Sequence, residues 1–511
     1  MKKLFIIFFV IIALPITQFV FLATSNYEIP QFVDLIHNSS NRNNNLDQFL
    51  NEIKISSVYN AQDHIGLQDS VWENGLTGKN ITVVVIDTGI FGNHSAFTND
   101  GKLNWSDRII KYFDLITNTS NIPQDDNGHG TWVASILGGN CSDYQGVAPG
   151  VNLVVLRIFD SSGETNSSVF EKAINWVLQN KNIYNIRIVS MSFGAKPEAD
   201  NLLQIAYLQQ IVRKLVDNGI LVLAAAGNDG STLESGRDGT INTPASDKKV
   251  VAVGGVDYDG EMYQFSSGGP SFEFAKKPDV CAPAVSIYGA DIDFPDDYAF
   301  GSGTSGATPF VAGLAALMLE KKETLTPLQL KNILSLTSYK TINPRIYQDN
   351  IQGWGVIQGY AALESLNSPV LINDSTEIAV SLTQNYTVFC LPIRLKPNDY
   401  YFELLQLNIA RAEMYLYKME PNEYGMPNLV SHTVNRLIQE SSAKRMGAFT
   451  ATEQNYFLVV KSIQRGTGSF LIRLVIEYRN FIFIFLFGIS LVSLVYIGKL
   501  SINLKNREKL Q

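Results

Sequence analysis

At 511 residues the chain has room for two or three domains and a large core. Hydrophobic residues make up 45% and charged residues 17%, which suits a folded globular protein and not a disordered chain. The formal net charge is -8 and no basic stripe stands outside the last few residues, so no nucleic-acid partner is expected. The three cysteines, Cys141, Cys281 and Cys390, have neither the spacing of a metal site nor the number of a disulfide framework. Cys281 reads as a small buried hydrophobe.

Residues 1–25 open with Met1-Lys2-Lys3, run apolar from Leu4 to about Leu22 and end in Ala23-Thr24-Ser25. A basic start, an apolar core and small residues after it predict a secretory signal peptide, with an uncleaved signal anchor as the alternative. Residues 26–60 form a short polar segment, too short for a core of its own.

From residue 61 to 368 strand and helix patterns alternate. Ile81 to Ile86 is a nearly continuous β-branched run, as in a strand buried on both faces, and it ends in Asp87-Thr88-Gly89. An acid at the carboxyl end of such a strand lies where an open α/β sheet places its site. Further strands are predicted over 152–159, 186–191, 220–226 and 250–256. Helices are predicted over 168–179, over 202–218 with Gly219 as its stop, and over 326–335 with Pro327 in the first turn. The pattern predicts an α/β fold: a mostly parallel sheet with helices on both faces.

Asn367-Ser368-Pro369 reads as a linker. Over 369–478 short strand patterns at 401–404, 412–417, 455–461 and 468–476 predict a small β-sandwich. Residues 479–499 predict one C-terminal transmembrane helix, since Phe481 to Gly498 is apolar and uncharged and would span about 27 Å. A buried soluble helix is the alternative. The basic tail at 500–511, with Lys505, Arg507 and Lys509, would stay in the cytoplasm. The expected protein is therefore single-pass in the cell membrane, with everything from 26 to 478 extracellular.

Three stretches carry candidate chemistry. Asp87 ends a strand. His129 sits in Gly128-His129-Gly130-Thr131, a glycine-rich entry to an apolar helix. Ser305 sits in Gly301-Ser302-Gly303-Thr304-Ser305, the entry to an apolar helix with Pro309 near its start. A serine hydroxyl needs a base to take its proton, an imidazole can serve, and a buried carboxylate can hold that imidazole in the right tautomer. Each residue alone has a plainer reading: a turn acid, a structural histidine, a helix cap. Asn228, after the strand-like Leu221 to Ala226, could donate to an oxyanion together with the Ser305 backbone N–H, or be a turn asparagine.

Taken together these motifs resemble the subtilisin-like serine proteases, the subtilases. Asp87-Thr88-Gly89, Gly128-His129-Gly130-Thr131, Ala226-Gly227-Asn228 and Gly303-Thr304-Ser305 with Ala307, Pro309, Val311, Ala312 and Gly313 match family motifs in family order. The resemblance covers roughly Ala61 to Ser365. It implies a peptide bond as substrate, hydrolysed through an acyl-enzyme by Asp87 as orienting acid, His129 as base and Ser305 as nucleophile, with Asn228 in the oxyanion hole. It further implies that a polypeptide substrate adds as a strand between Ser161-Ser162-Gly163 and Ser192-Phe193-Gly194, with Ala225, Ala226 and Gly227 bordering the first pocket.

No cofactor is required for that chemistry. Residues 138–145 are shorter than the calcium loop of many family members, so no metal is assigned there. The segment at 26–60 is shorter than the inhibitory prodomain many members carry. The region at 369–478 resembles the pre-peptidase C-terminal domain of secreted proteases. The expected function is a membrane-anchored extracellular serine endopeptidase. The alternative is an inactive surface protein that binds polypeptides in the same cleft.

Overall fold

A computed structural model of the chain describes residues 61–477, apart from 63, 68–70, 73–74, 99–106, 121, 142–143, 199, 231–237, 342–346, 373–375, 384–386, 408–410, 434–442, 451 and 464–467. The expected signal segment at 1–25, the polar segment at 26–60, the membrane helix at 479–499 and the tail at 500–511 lie outside the described residues. Among the described residues no helix is long and apolar enough to cross a membrane.

The first half is built on seven strands: β1 (Thr82–Asp87), β2 (Ile109–Asp114), β5 (Asn152–Arg157), β6 (Ile186–Met191), β7 (Leu221–Ala225), β8 (Val251–Val256) and β9 (Val280–Pro283). Between β2 and β5 a small hairpin pairs β3 (Asn140–Cys141) with β4 (Tyr144–Gln145). The main sheet runs β2-β5-β1-β6-β7-β8-β9, and every pairing in it is parallel. The chain passes from β5 on one flank of β1 to β6 on the other, so the carboxyl end of β1 stands at a topological switch point.

Alternation along the strands explains the apolar runs. Val83, Val85, Leu153 and Val155 enter one core with Phe310, Val311 and Leu314, whereas Val84, Ile86, Val154 and Leu156 enter a second with Phe170, Ile174, Ile211 and Leu215. The helices whose full extent lies among the described residues are α1 (Ser95–Thr98), α2 (His129–Gly138), α3 (Ser167–Asn180), α4 (Leu202–Asp217), α5 (Thr304–Lys321), α6 (Pro327–Leu336) and α7 (Gly359–Glu364). Asn166 caps α3 by accepting from Val169 N at 3.1 Å, and Thr326 and Gln329 form a reciprocal capping box on α6. A hairpin of β10 (Ile287–Ala290) and β11 (Tyr298–Gly301), absent from the sequence reading, leads directly into α5. Cys281 is fully buried, as its sequence context suggested.

The second half holds β12 (Val370–Leu371), β13 (Glu377–Leu382), β14 (Val388–Leu395), β15 (Asn398–Gln406), β16 (Ala412–Lys418), β17 (Leu429–His432), β18 (Ala443–Thr450), β19 (Gln454–Ser462) and β20 (Gly468–Glu477). They form a five-stranded sheet, β12-β14-β19-β16-β17, and a four-stranded sheet, β13-β20-β15-β18. Residues of both sheets, among them Met414, Leu458, Phe402 and Ile472, share one core. The five-stranded sheet also buries its other face: Cys390, Tyr415, Tyr417, Phe457 and Val459 join the core of the α/β domain. Polar contacts reinforce this seam, with Lys461 Nζ donating to Ser338 O at 2.6 Å and Thr387 Oγ1 to Gln358 Oε1 at 3.1 Å.

Candidate active site

Asp87 is the last residue of β1 and is 1% exposed. Its Oδ1 accepts from Thr88 N and from His129 Nδ1, both at 2.8 Å, while Oδ2 is buried without a hydrogen-bond partner. With Nδ1–H donated to the carboxylate, His129 presents Nε2 as its free lone pair. The His129 side chain keeps 34% of its surface in solvent. Burial works against the imidazolium, but the charge and hydrogen bond of Asp87, with the more distant charge of Asp125, outweigh it and raise the His129 pKa above its ordinary value.

The turn before α2 is pinned by Asp125. Its Oδ1 accepts from Asn127 N and Gly128 N at 3.1 and 3.0 Å, and its Oδ2 from Thr131 N and Thr131 Oγ1 at 2.9 and 2.7 Å. Thr88 Oγ1 accepts from Gly130 N at 2.8 Å, tying the end of β1 to the first turn of α2. Sequence reasoning passed over Asp125; its signal was a carboxylate two residues before an Asn-Gly turn.

Ser305 is the second residue of α5 and is 9% exposed. The helix N-terminus there favours negative charge on a bound group. Pro309 lies inside the helix and has no N–H, so the carbonyl of Ser305 lacks its donor four residues on. Ser192 Oγ takes that place, donating to Ser305 O at 2.9 Å. Gly303 adopts φ 155° and ψ 161°, a region closed to other residues, and a Cβ there would lie 3.1 Å from Ser305 Oγ and 3.2 Å from Asn228 Nδ2. The side chains of Ser305 and Asn228 thus converge on one bare α-carbon.

Asn228 follows β7 at the carboxyl edge of the sheet. Its Oδ1 accepts from Thr304 N at 2.9 Å and Thr304 Oγ1 at 3.1 Å. With its oxygen engaged by two donors the amide is fixed in orientation, and its Nδ2 lies beside Gly303 as Ser305 Oγ does. Thr304 was quoted in the sequence only as part of the Gly303-Thr304-Ser305 motif and was given no role of its own.

A cavity of about 680 Å³ opens beside Ser305 and Asn228. Of the residues expected to bind substrate, Gly163, Ser192, Phe193, Gly194, Ala225 and Gly227 line it, whereas Ser161, Ser162 and Ala226 do not. Ser162 is held in a turn instead, its N and Oγ bonding Asp160 Oδ1 at 2.9 and 2.7 Å. Asn242, Thr243 and the apolar Phe159, Phe170, Ile205 and Leu208 also line it, none of which the sequence reading assigned to substrate binding. Among the described residues no group of three or more His, Cys, Asp or Glu side chains is arranged to hold a metal ion.

A family model described as the subtilase family matches residues 78–355. Over 273 residues the chain is 36% identical to subtilisin DY of Bacillus licheniformis, an alignment covering 53% of this chain and 88% of that protein. It is 34% identical over 293 residues to subtilisin E of Bacillus subtilis (strain 168), covering 57% of this chain and 67% of the relative. Among solved structures, a cold-adapted subtilisin-like serine proteinase aligns at 30% identity with a TM-score of 0.44, over 56% of this chain and 90% of that one.

Proposed function

The chain belongs to the subtilase family and is a serine endopeptidase acting on polypeptides, and from that premise we propose how its own residues perform the reaction. Ser305 Oγ attacks the scissile carbonyl while His129 Nε2 takes its proton. Asp87 holds the imidazole through Nδ1 and stabilises the imidazolium as it forms. The oxyanion lies between Asn228 Nδ2 and the Ser305 backbone N–H, at the positive end of α5. The amine leaves with the proton from His129, and water then resolves the acyl-enzyme by the same steps in reverse. No cofactor enters. The substrate backbone pairs along Gly163 and Ser192-Phe193-Gly194, and its side chains enter the cavity bounded by Ala225 and Gly227.

The observation that carries this reading is the 2.8 Å bond from His129 Nδ1 to a buried Asp87, with Nε2 left free. Casein hydrolysis by the parent and by Ser305→Ala tests it. The change should reduce turnover about 10⁶-fold, the magnitude known for the same removal in a subtilisin. Activity that survives it overturns the assignment.

We further propose that 479–499 cross the membrane once and hold the enzyme at the cell surface, with 1–25 directing export and 369–478 serving as a pre-peptidase C-terminal-like domain. Apolar length and the basic tail support the anchor. A chain cut after residue 478 should be released to the medium while the parent stays with membranes; a parent found in the medium refutes it.

A further inference from the structure

We propose that Trp132 is a positioning residue whose indole sets the separation between His129 and Ser305; this rests on the reading of those two residues as base and nucleophile. Trp132 lies three residues after His129 on α2, with the two ring centroids 6.1 Å apart. Its indole is slotted against three glycines from three different elements. A Cβ added to Gly289 of β10 would come within 2.4 Å of a ring atom, and one on Gly301 of β11 or on Gly306 of α5 within 2.6 Å. All three approaches are closer than real Cβ contacts, so the indole fills room that only glycine leaves. Its Nε1 donates to Ile287 O at 3.3 Å, which fixes the ring in the slot.

The position of these glycines gives the ring its role. Gly306 directly follows Ser305, and Gly301 ends the strand that delivers the chain to α5. The atoms facing Gly306 are Cη2, Cζ2 and Cζ3, the outer edge of the six-membered ring. One rigid bicycle therefore spans from the helix that carries the base to the turn that carries the nucleophile. Trp132 is not among the residues lining the cavity beside Ser305. A spacer of this kind acts on the geometry of proton transfer, where a displacement of about 1 Å can cost about 10²-fold.

The test is a double-mutant cycle on the full chain, with kcat expressed per active site titrated by a sulfonyl fluoride. Gly306→Ala drives a methyl group against the indole edge and should lower kcat about tenfold or more with KM within about twofold. Trp132→Phe removes that edge and should also lower kcat. In the Trp132→Phe background, Gly306→Ala should cost no more than about twofold, because the methyl group then occupies vacated space. Additive effects, or kcat per titrated site unchanged in either single variant, overturn the proposal. A purely structural tryptophan would lower the melting temperature and the titratable fraction and leave kcat per site alone.

Should Gly306→Ala not fold, Trp132→Tyr and Trp132→Phe still decide. Both should lose kcat per site at constant KM, and a loss confined to KM refutes the spacer. Ser305→Ala separates this from the underlying reading: residual activity there fails the nucleophile assignment, whereas an inactive Ser305→Ala with an additive cycle fails only the role of Trp132.

Discussion

The parallel sheet of the α/β domain and the five-stranded sheet behind it are both buried on two faces, yet they carry different groups. In the first, Val83 and Val85 face one core and Val84 and Ile86 the other, and helices of the same domain cover both. Its carboxyl end stays open and holds groups that oppose stability: a buried Asp87 with an unpartnered oxygen, and Gly303 in a backbone region closed to other residues. In the second sheet, Leu458 and Val460 face the four-stranded partner while Phe457 and Val459 face the α/β domain. Its buried faces are mainly apolar and aromatic, and the Lys461 amine at the seam is bonded to Ser338 O. One region accepts unfavourable groups to hold a geometry, and the other contributes packing that offsets them.

Opposite substitutions should therefore separate activity from stability. Ser305→Ala should abolish hydrolysis with little change in thermal unfolding. Tyr417→Ala should do the reverse. Tyr417 is 1% exposed and lies where the five-stranded sheet meets the α/β core, so truncation should cost about 3–5 kcal/mol. Calorimetry should show the midpoint falling by several degrees, with kcat per titrated site unchanged. A drop in kcat per site would mean that the second sheet shapes the active site as well as supporting it.

Within the active-site region the next effect is electrostatic. Asn228→Ala should lower kcat about 10²–10³-fold with KM nearly constant, a range known for the loss of this donor in a subtilisin. Steady-state kinetics that show the loss in KM instead would move Asn228 from the oxyanion hole to ground-state binding.

A smaller effect concerns the helix defect at Ser305. Ser192→Ala leaves the buried Ser305 carbonyl without a donor, which costs about 1–3 kcal/mol and should lower kcat about tenfold. Pro309→Ala in the same background returns an N–H to that carbonyl and should recover most of the loss. No recovery would show that the Ser192 hydroxyl acts elsewhere.

These contrasts also explain what could be read from the chain alone. The run from Ile81 to Ile86 was legible because burial on both faces leaves it continuously β-branched, with Thr82 its one hydroxyl, and the four motifs were legible because each joins a glycine-rich turn to one reactive residue. The β10–β11 hairpin was not, because its role lies in contacts with Trp132 far away in sequence. Asn242 and Thr243 of the cavity lining were missed for the same reason: Asn242 N donates to Ala226 O just beyond β7, and Thr243 pairs with Ala195, both far away in sequence. Tyr415 and Tyr417 alternate with Met414 and Leu416, so both faces of β16 are apolar, and no period of two remains to tell which face meets the other domain.

The gentlest probe of the active-site region is pH. His129 must be neutral to accept the serine proton, so kcat/KM should rise with pH through the raised His129 pKa, giving an acid limb centred above the ordinary histidine value of about 6.5. The same shift has the opposite consequence for stability. A folded-state pKa above the unfolded one means that the native protein binds the extra proton, so this contribution is fully present below about 6.5 and is lost as pH rises through the folded value. Activity should therefore grow across the window in which the imidazolium–Asp87 pair ceases to stabilise the fold. Asp125→Asn removes the more distant of the two charges that raise the pKa and keeps the direct partner, so the limb should move toward lower pH while Asp87 still orients the ring. A parent limb centred at or below the ordinary value, or one that Asp125→Asn leaves in place, would show that the field around His129 is not governed by these two carboxylates.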